Sequence, residues 1–116
     1  MSGYRINQQQ ARVKLVLSHL IQNEVKDPRL GFVSVTDVRL TKDLAQCKVF
    51  ISVFGSNDKV EESLKALKSA RGYLRKEMSK RANLRRAPEL IFEHDDSLNY
   101  GSHINKLLKE VEEDVK

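Results

Sequence analysis

The chain has 116 residues, which leaves room for one ordinary domain but not for a second core of useful size. Apolar residues make up 40% and charged residues 32%, a mixture that can bury a core and excludes a disordered chain. The formal net charge is +5, the single cysteine excludes an internal disulfide, and no apolar run is long enough to cross a membrane. We therefore expect one domain over residues 1–116, working in the reducing cytoplasm.

A first helix is predicted over residues 5–25. Apolar residues recur there at three- and four-residue steps, which places them in one stripe on a helix. Pro28 ends this helix, because proline cannot continue the backbone hydrogen bonding and restricts the residue before it. The stripe consists of Val13, Val16, Leu17, Leu20, Ile21 and Val25.

Two antiparallel strands are predicted next, in the segments FVSVTDVRL and CKVFISVF, joined by the polar loop TKDLAQ. The second segment alternates cleanly, so Cys47 is expected on the buried face as a small apolar group. The first does not, because Val33 and Val35 point to one face whereas Val38 and Leu40 point to the other. A bulge in the first strand would resolve this conflict.

The turn cluster GSND, residues 55–58, is predicted to cap a second helix through its side-chain oxygens. Gly72 lies in the middle of this helical region, where glycine costs roughly 1 kcal/mol relative to alanine. This cost predicts a kink at Ala70 to Gly72 at which two helices meet; the alternative is a glycine required by packing. The apolar side of this helical region consists of Val60, Leu64, Leu67, Leu74 and Met78.

One segment, residues 65–86, carries the basic character of the chain. It holds nine basic residues and one acid, Glu77, so the rest of the chain is net negative. A solvated helix face ordinarily interleaves Glu with its basic residues at helical spacing, and those partners are nearly absent. The segment therefore favours a surface that binds anions such as phosphate.

The segment ELIFEHD predicts a short third strand, with Leu90 and Phe92 on one face. Asp96 or Ser97 is expected to cap a last helix that runs from about Ser102. The chain finishes in the acidic run EEDVK, whose order the sequence leaves open.

The cluster His94-Asp95-Asp96 has the composition of an acid/base or metal site. It falls where a strand gives way to a helix, which favours turn and capping roles for its carboxylates. The sequence pairs no nucleophile with a general base and contains no phosphate-cradling GxxxxGK loop. We therefore expect no catalysis, no cofactor, no metal ion and no small-molecule substrate.

The predicted order is helix, strand, strand, helix, kink, helix, strand, helix, which is an α+β pattern. We expect a single three-stranded sheet with the helices packed on one face. If the second and third strands are parallel, the helical crossover between them should be right-handed.

Two long segments of the chain resemble the bacterial ribosome-binding factor A family. They are EVKDPRLGFVSVTDVRLTKDLAQCKVFISVFG and KALKSARGYLRKEMSKRANLRRAPELIFEHDDSLNYG, the latter with Ala70-x-Gly72 at the kink. The resemblance implies a type II KH-like domain that binds the small ribosomal subunit and its 16S rRNA during late maturation, including processing of the 5′ end of that RNA, and that supports growth in the cold. It also implies an assembly GTPase as the releasing partner, and no catalysis.

The kink sequence bears on how such a domain would bind. KH domains typically clamp four nucleotides with a GXXG loop, whereas Ala70-Arg71-Gly72 supplies one glycine, as in the family. Docking on a folded ribosomal surface is therefore predicted over gripping a free single strand.

The predicted mechanism places a phosphate at the start of the helix after the kink, where free backbone N–H groups and the helix dipole favour an anion. Tyr73 either stacks on an unpaired base or lies partly buried against a neighbouring helix, and the second is expected. The alternative function is a non-enzymatic adaptor that holds an acidic protein partner on the same face; a monomer is expected in either case. The predicted RNA-binding residues are Lys68, Arg71, Gly72, Arg75, Lys76, Lys80, Arg81, Arg85 and Arg86.

Overall fold

The computed structural model describes residues 2–95, with side chains from residue 5 onward, as three helices and a three-stranded sheet. The α+β architecture is confirmed, as is the predicted element order from the first helix to the third strand. The last predicted helix, its caps and the acidic end lie outside the described residues. In chain order the elements are α1 (Ser2–Asn23), β1 (Phe32–Leu40), β2 (Gln46–Phe54), α2 (Asn57–Ser69), α3 (Arg71–Arg81) and β3 (Glu89–His94).

The sheet has the order β1-β2-β3, with β1 antiparallel and β3 parallel to β2. Since parallel neighbours cannot be joined by a tight turn, α2 and α3 form the connection between β2 and β3. α1 packs on β1 and α3, while α2 packs on β2 and β3. The loop after α3 and the start of β3 are thereby held beside the helices.

A bulge in β1 brings two apolar pairs to the same face of the sheet. Val35 pairs with Ile51 and Asp37 pairs with Phe50, so Thr36 is the extra residue. The residues on either side of it, Val33, Val35, Val38 and Leu40, are all buried. The bulge predicted from the conflicting alternation is confirmed.

The core lies between the sheet and the described helices. Val13, Leu17 and Leu20 of α1 are fully buried, as are Leu67, Leu74 and Met78 of α2 and α3. Cys47 is also fully buried, and its burial raises the pKa of the thiol to about 12, so the group behaves as the small apolar residue that was expected. Within residues 2–95, no helix combines the length and apolar character needed to cross a bilayer.

Two local predictions are wrong in detail. α1 ends at Asn23 rather than residue 25. Ser56 occupies the N-cap position of α2 but makes no side-chain capping bond; its backbone carbonyl accepts from the N–H groups of Lys59 and Val60, at 3.0 and 3.1 Å. The start of α2 is therefore fixed by the backbone rather than by a capping side chain.

The loop between β1 and β2 buries a leucine, which its polar composition does not indicate. Leu44 is buried although it adopts a left-handed backbone, with φ of 58°. The Thr41 hydroxyl donates to Asp43 at 2.8 Å and accepts from the Gln46 N–H at 3.0 Å. These bonds hold the loop in a shape that places Leu44 in the core.

Candidate nucleic-acid interface

The predicted break between two helices is confirmed, and it lies at Ala70. The Ala70 backbone has φ of −88° and ψ of 1°, and it both ends α2 and begins α3. Its N–H donates to Ala66 at 3.0 Å and its carbonyl accepts from Leu74 at 2.9 Å, so hydrogen bonding passes through the break.

Gly72 is not the break residue, contrary to the prediction that included it in the kink. It lies in the first turn of α3 and is exposed. A Cβ added at Gly72 would meet nothing within 4 Å, so packing does not require a glycine either. The backbone of this turn is instead open to a molecule approaching from outside.

One side of α3 is buried, and its basic residues lie along different lines of the exposed side. Leu74 and Met78 face the core. Residues four apart share a face of a helix, so the remaining positions form three exposed stripes. These are Arg71 with Arg75, then Gly72 with Lys76 and Lys80, then Tyr73 with Glu77 and Arg81.

The third stripe is occupied by an internal network centred on Glu24, the residue after α1. Arg81 donates to both carboxylate oxygens of Glu24, at 2.6 and 2.9 Å, and to Glu77 at 3.1 Å. The Tyr73 hydroxyl donates to the same Glu24 carboxylate at 2.5 Å. Tyr73 stays 47% exposed, so the expected partial burial against a neighbouring helix is not confirmed, and its hydroxyl is held by the Glu24 carboxylate instead.

The network shifts the protonation of its members. The Arg81 guanidinium and then the Tyr73 hydroxyl lower the pKa of Glu24 to about 2, because both bond to the charged carboxylate. The hydrogen bond to Glu24 also raises the pKa of Tyr73 and that of Arg81. The charge of Arg81 is therefore largely compensated within the chain.

The first stripe lines a cavity of about 380 Å³ between α3 and the start of β3. Arg71 and Gly72 form one wall, and Arg86 and Glu89 form the other. Arg75 also lines the cavity and donates two hydrogen bonds to the Ala87 carbonyl, at 3.1 and 2.8 Å. Arg75 thus holds the basic loop against α3 while its remaining donors stay available.

An asparagine at the end of α3 orients the loop that carries Arg85 and Arg86. Asn83 has φ of 56°, the Leu84 N–H donates to Ser79 at 3.0 Å, and the Asn83 N–H donates to Lys80 at 3.3 Å. This is the bonding pattern of a Schellman motif with asparagine in the left-handed position. After glycine, asparagine is the residue most often found at this left-handed position. Asn83 was therefore a signal for the end of α3 that the sequence prediction did not use.

Six of the predicted cations are exposed on the last turn of α2, on α3 and on the loop that follows α3. Among the described residues, Arg81 is the member of the predicted set that is paired with carboxylates, and Arg75 bonds to the Ala87 carbonyl. Within residues 2–95, the others make no ion pair or hydrogen bond through their side chains. We name these exposed residues, Lys68, Arg71, Lys76, Lys80, Arg85 and Arg86, the cation-rich surface.

Comparison with known proteins identifies the family. The model of the ribosome-binding factor A family matches residues 5–108. Ribosome-binding factor A of Natranaerobius thermophilus is 46% identical over 111 residues, which cover 96% of this chain and 85% of the relative. The chain belongs to the ribosome-binding factor A family.

Solved structures of the ribosome-binding factor A family share the fold. The crystal structure of the Thermus thermophilus protein has a TM-score of 0.69 and 32% identity, covering 77% of this chain and 94% of the other. A homology model of the Thermus thermophilus protein, fitted into a cryo-electron-microscopy map of its 30S complex, has a TM-score of 0.66 and 31% identity. That match covers 80% of this chain and 97% of the other. The fold that carries the cation-rich surface is therefore shared with a relative that has been fitted into a map of its 30S complex.

In the sequence cluster at the end of β3, the carboxylate of Asp95 has a structural role. Asp95 accepts a hydrogen bond from the Thr36 hydroxyl at 2.9 Å, and its N–H donates to Ile51 at 2.6 Å. Over residues 2–95 no group of three or more His, Cys, Asp or Glu side chains is placed to hold a metal ion. Asp95 thus joins the bulge of β1 to the end of β3.

Proposed function

We propose that the chain binds the small ribosomal subunit through its ribosomal RNA and acts, without catalysis, in the late maturation of that subunit in the cytoplasm. Membership of the ribosome-binding factor A family and the 30S complex of a relative support the small ribosomal subunit as the partner. The cation-rich surface supports RNA as the component contacted. The proposal includes processing of the 16S rRNA 5′ end, growth in the cold and release by an assembly GTPase.

The observation that carries the proposal is the set of six exposed cations that form no ion pair or side-chain hydrogen bond with another residue of the described range 2–95. Lysine and arginine side chains beside an acid are already compensated, whereas Arg71, Lys76 and Lys80 keep their full charge. Neutralising phosphates releases condensed counterions, which is the main source of affinity for nucleic acid. Such contacts position a protein on RNA without reading its sequence.

The first turn of α3 supplies a second type of contact. The backbone N–H groups that begin a helix have no partner within it, and the helix dipole favours an anion there. With no side chain on Gly72, a phosphate can approach that turn while Arg71 and Arg86 flank it from the cavity. Arg81 is assigned to the Glu24 network and not to the RNA.

The test is sedimentation of the chain with small subunits, large subunits and whole ribosomes at two salt concentrations. If about five phosphates are neutralised, affinity for small subunits should fall on the order of a hundred- to a thousandfold between roughly 50 and 200 mM salt. A variant with alanine at Arg71, Lys76 and Lys80 should bind more weakly and show a shallower salt dependence.

The matched control replaces three exposed cations of α1, Arg5, Arg12 and Lys14, with alanine. Equal weakening by both triple variants would mean that net charge, not this surface, determines binding. Association with no subunit at any salt would overturn the proposal and favour an adaptor for an acidic protein partner.

A further inference from the structure

The outer edge of β1 is closed over its second half. β1 is the first strand of the sheet, and no described strand lies beyond it. The N–H of Val38 donates to the Asp37 carboxylate and that of Leu40 to the Gln10 side chain, both at 2.9 Å. Side chains that occupy edge donors in this way prevent another strand from pairing there.

The first half of the same edge is open. Val33 pairs with Val53 and Val35 with Ile51 in the antiparallel register. The Ile51 carbonyl accepts from Asp95 on the β3 side, so the backbone groups of Ile51 point away from β1. In an antiparallel pair the residue opposite then also points its N–H and carbonyl outward, as does the residue two positions away. Within residues 2–95, no hydrogen bond reaches those outward groups of Val33 and Val35.

A groove lies beside this open half. It has a volume of about 670 Å³ and runs between the end of α1 and the start of β1. Ile21, Val25 and Leu30 line its apolar part, and Phe32 forms a wall while remaining 86% exposed. Lys26 and Asp27, of opposite charge, also line the groove. The groove therefore lacks the excess of positive charge that phosphate binding requires.

We propose that an extended segment of a protein partner pairs with residues 32–35 as a further strand and places an apolar side chain in the groove. Outward N–H and carbonyl groups at alternate residues match the donors and acceptors of another polypeptide strand. An adjacent apolar pocket for an alternate side chain is the usual source of specificity in this mode. The phosphate oxygens of an RNA backbone only accept hydrogen bonds, so that backbone cannot pair with this edge as a strand does.

The identity of the partner rests on the proposed function. If the chain docks on the small subunit, the cation-rich surface contacts RNA and the open edge contacts a protein of the same subunit. The cations would then position the domain on RNA, and the strand pairing would add a contact that is specific to one protein.

Phe32 and Phe54 give a matched pair of variants. They are register partners on neighbouring strands and are 86% and 84% exposed, so neither side chain supports the core. Phe32 lines the groove, whereas Phe54 lies on the inner strand and does not. Phe32→Ala should lower affinity for intact small subunits on the order of tenfold and leave affinity for protein-free 16S rRNA unchanged. Phe54→Ala should change neither affinity.

Hydrogen exchange gives a readout of the backbone pairing itself. Exchange over residues 32–36, followed by mass spectrometry, should slow when the chain binds intact subunits and stay fast when it binds protein-free RNA. A photo-crosslinking residue at Ser34, which is exposed in this half of β1, should join the chain to a subunit protein.

Several outcomes would overturn the inference while leaving the proposed function intact. They are wild-type affinity of Phe32→Ala for subunits, equal losses in Phe32→Ala and Phe54→Ala, equal losses on subunits and on free RNA, or a crosslink from Ser34 to RNA or to the same chain. Failure of the wild-type chain to bind either subunits or RNA would overturn both proposals.

Discussion

Arg81 donates two hydrogen bonds to Glu24 from a position 57 residues further along the chain. Glu24 directly follows α1 and Arg81 is the last residue of α3, so the pair joins the ends of two helices that also pack on each other. The pair lies beside the cation-rich surface and withdraws one arginine from it.

Glu24→Gln should lower the melting temperature at neutral pH, because the amide keeps the shape of the side chain but not its charge. The pKa of Glu24 in the folded chain is about 2, below its ordinary value of 4.5. The stabilisation by ionised Glu24 is therefore present in full above pH 4.5 and is lost as the pH falls toward 2. Melting temperatures of both chains, measured from pH 7 to pH 2, should converge at the acid end.

The control for that series is Glu61→Gln, an exposed glutamate of α2 that makes no ion pair within residues 2–95. It should leave the melting temperature close to that of the wild type at every pH. Asp27, whose pKa is also lowered to about 2, chiefly by its hydrogen bond with Arg29, is retained in all three chains and cancels in the comparison. A constant gap between wild type and Glu24→Gln down to pH 2 would refute the assigned role.

Gly72→Ala should stabilise the fold and weaken binding. The new methyl group meets no neighbour within 4 Å, and removing a helical glycine is worth up to about 1 kcal/mol. The same methyl group would lie where a phosphate is proposed to approach α3, so affinity for small subunits should fall several-fold. Chemical denaturation and subunit sedimentation of the same preparation measure the two effects.

Glu61→Ala provides the comparison, since it changes an exposed helical position in α2 outside the cation-rich surface. It should leave subunit binding unaltered. Unchanged binding by Gly72→Ala would remove the first turn of α3 from the proposed contact and leave only the side chains.

Asn83→Ala should destabilise the chain by about 1 kcal/mol, because alanine pays a steric penalty in the left-handed backbone that Asn83 adopts at φ of 56°. Asn83→Gly should match or exceed wild-type stability, since glycine adopts this conformation without penalty. Urea unfolding of the three chains tests the order. Equal stability of the alanine and glycine variants would contradict the Schellman motif as the end of α3.

Leu17→Ala and Leu15→Ala test the position of the core on α1. Leu17 is fully buried and Leu15, two residues earlier, is 73% exposed. The first change should cost about 3 kcal/mol of unfolding free energy through lost burial and a residual cavity. The second should stay within about 0.5 kcal/mol of wild type. Similar losses from both would mean that α1 is rotated relative to the core.

The sheet and the helix break could be predicted because local patterns determine them. The conflict between Val33 with Val35 and Val38 with Leu40 has few solutions other than a bulge when one face must be buried. Gly72 interrupts the helical pattern through its weak helix propensity, and the predicted kink included both Ala70 and Gly72. The structure places the break at Ala70, and Gly72 lies within α3.

The division of the cations could not be predicted from helical spacing. Arg81 and Lys80 are neighbours in a basic helix, and although Glu77 lies one turn before Arg81, the distant Glu24 that accepts two of its hydrogen bonds cannot be found from spacing. Leu44 was likewise predicted only as part of a polar loop, because no local sequence pattern indicates that a leucine with a left-handed backbone is buried. Contacts between residues far apart in sequence set both outcomes, and no periodicity records them.

The parallel pairing of β3 with β2 also sets the order in which the chain can fold. β1 and β2 are joined by a short loop and can pair early, whereas β3 must wait for the whole segment 55–88 to be laid down and its loop closed. Arg85 and Arg86 are fixed in place only when β3 docks. The proposed RNA-binding surface is therefore complete only when β3 has docked on β2.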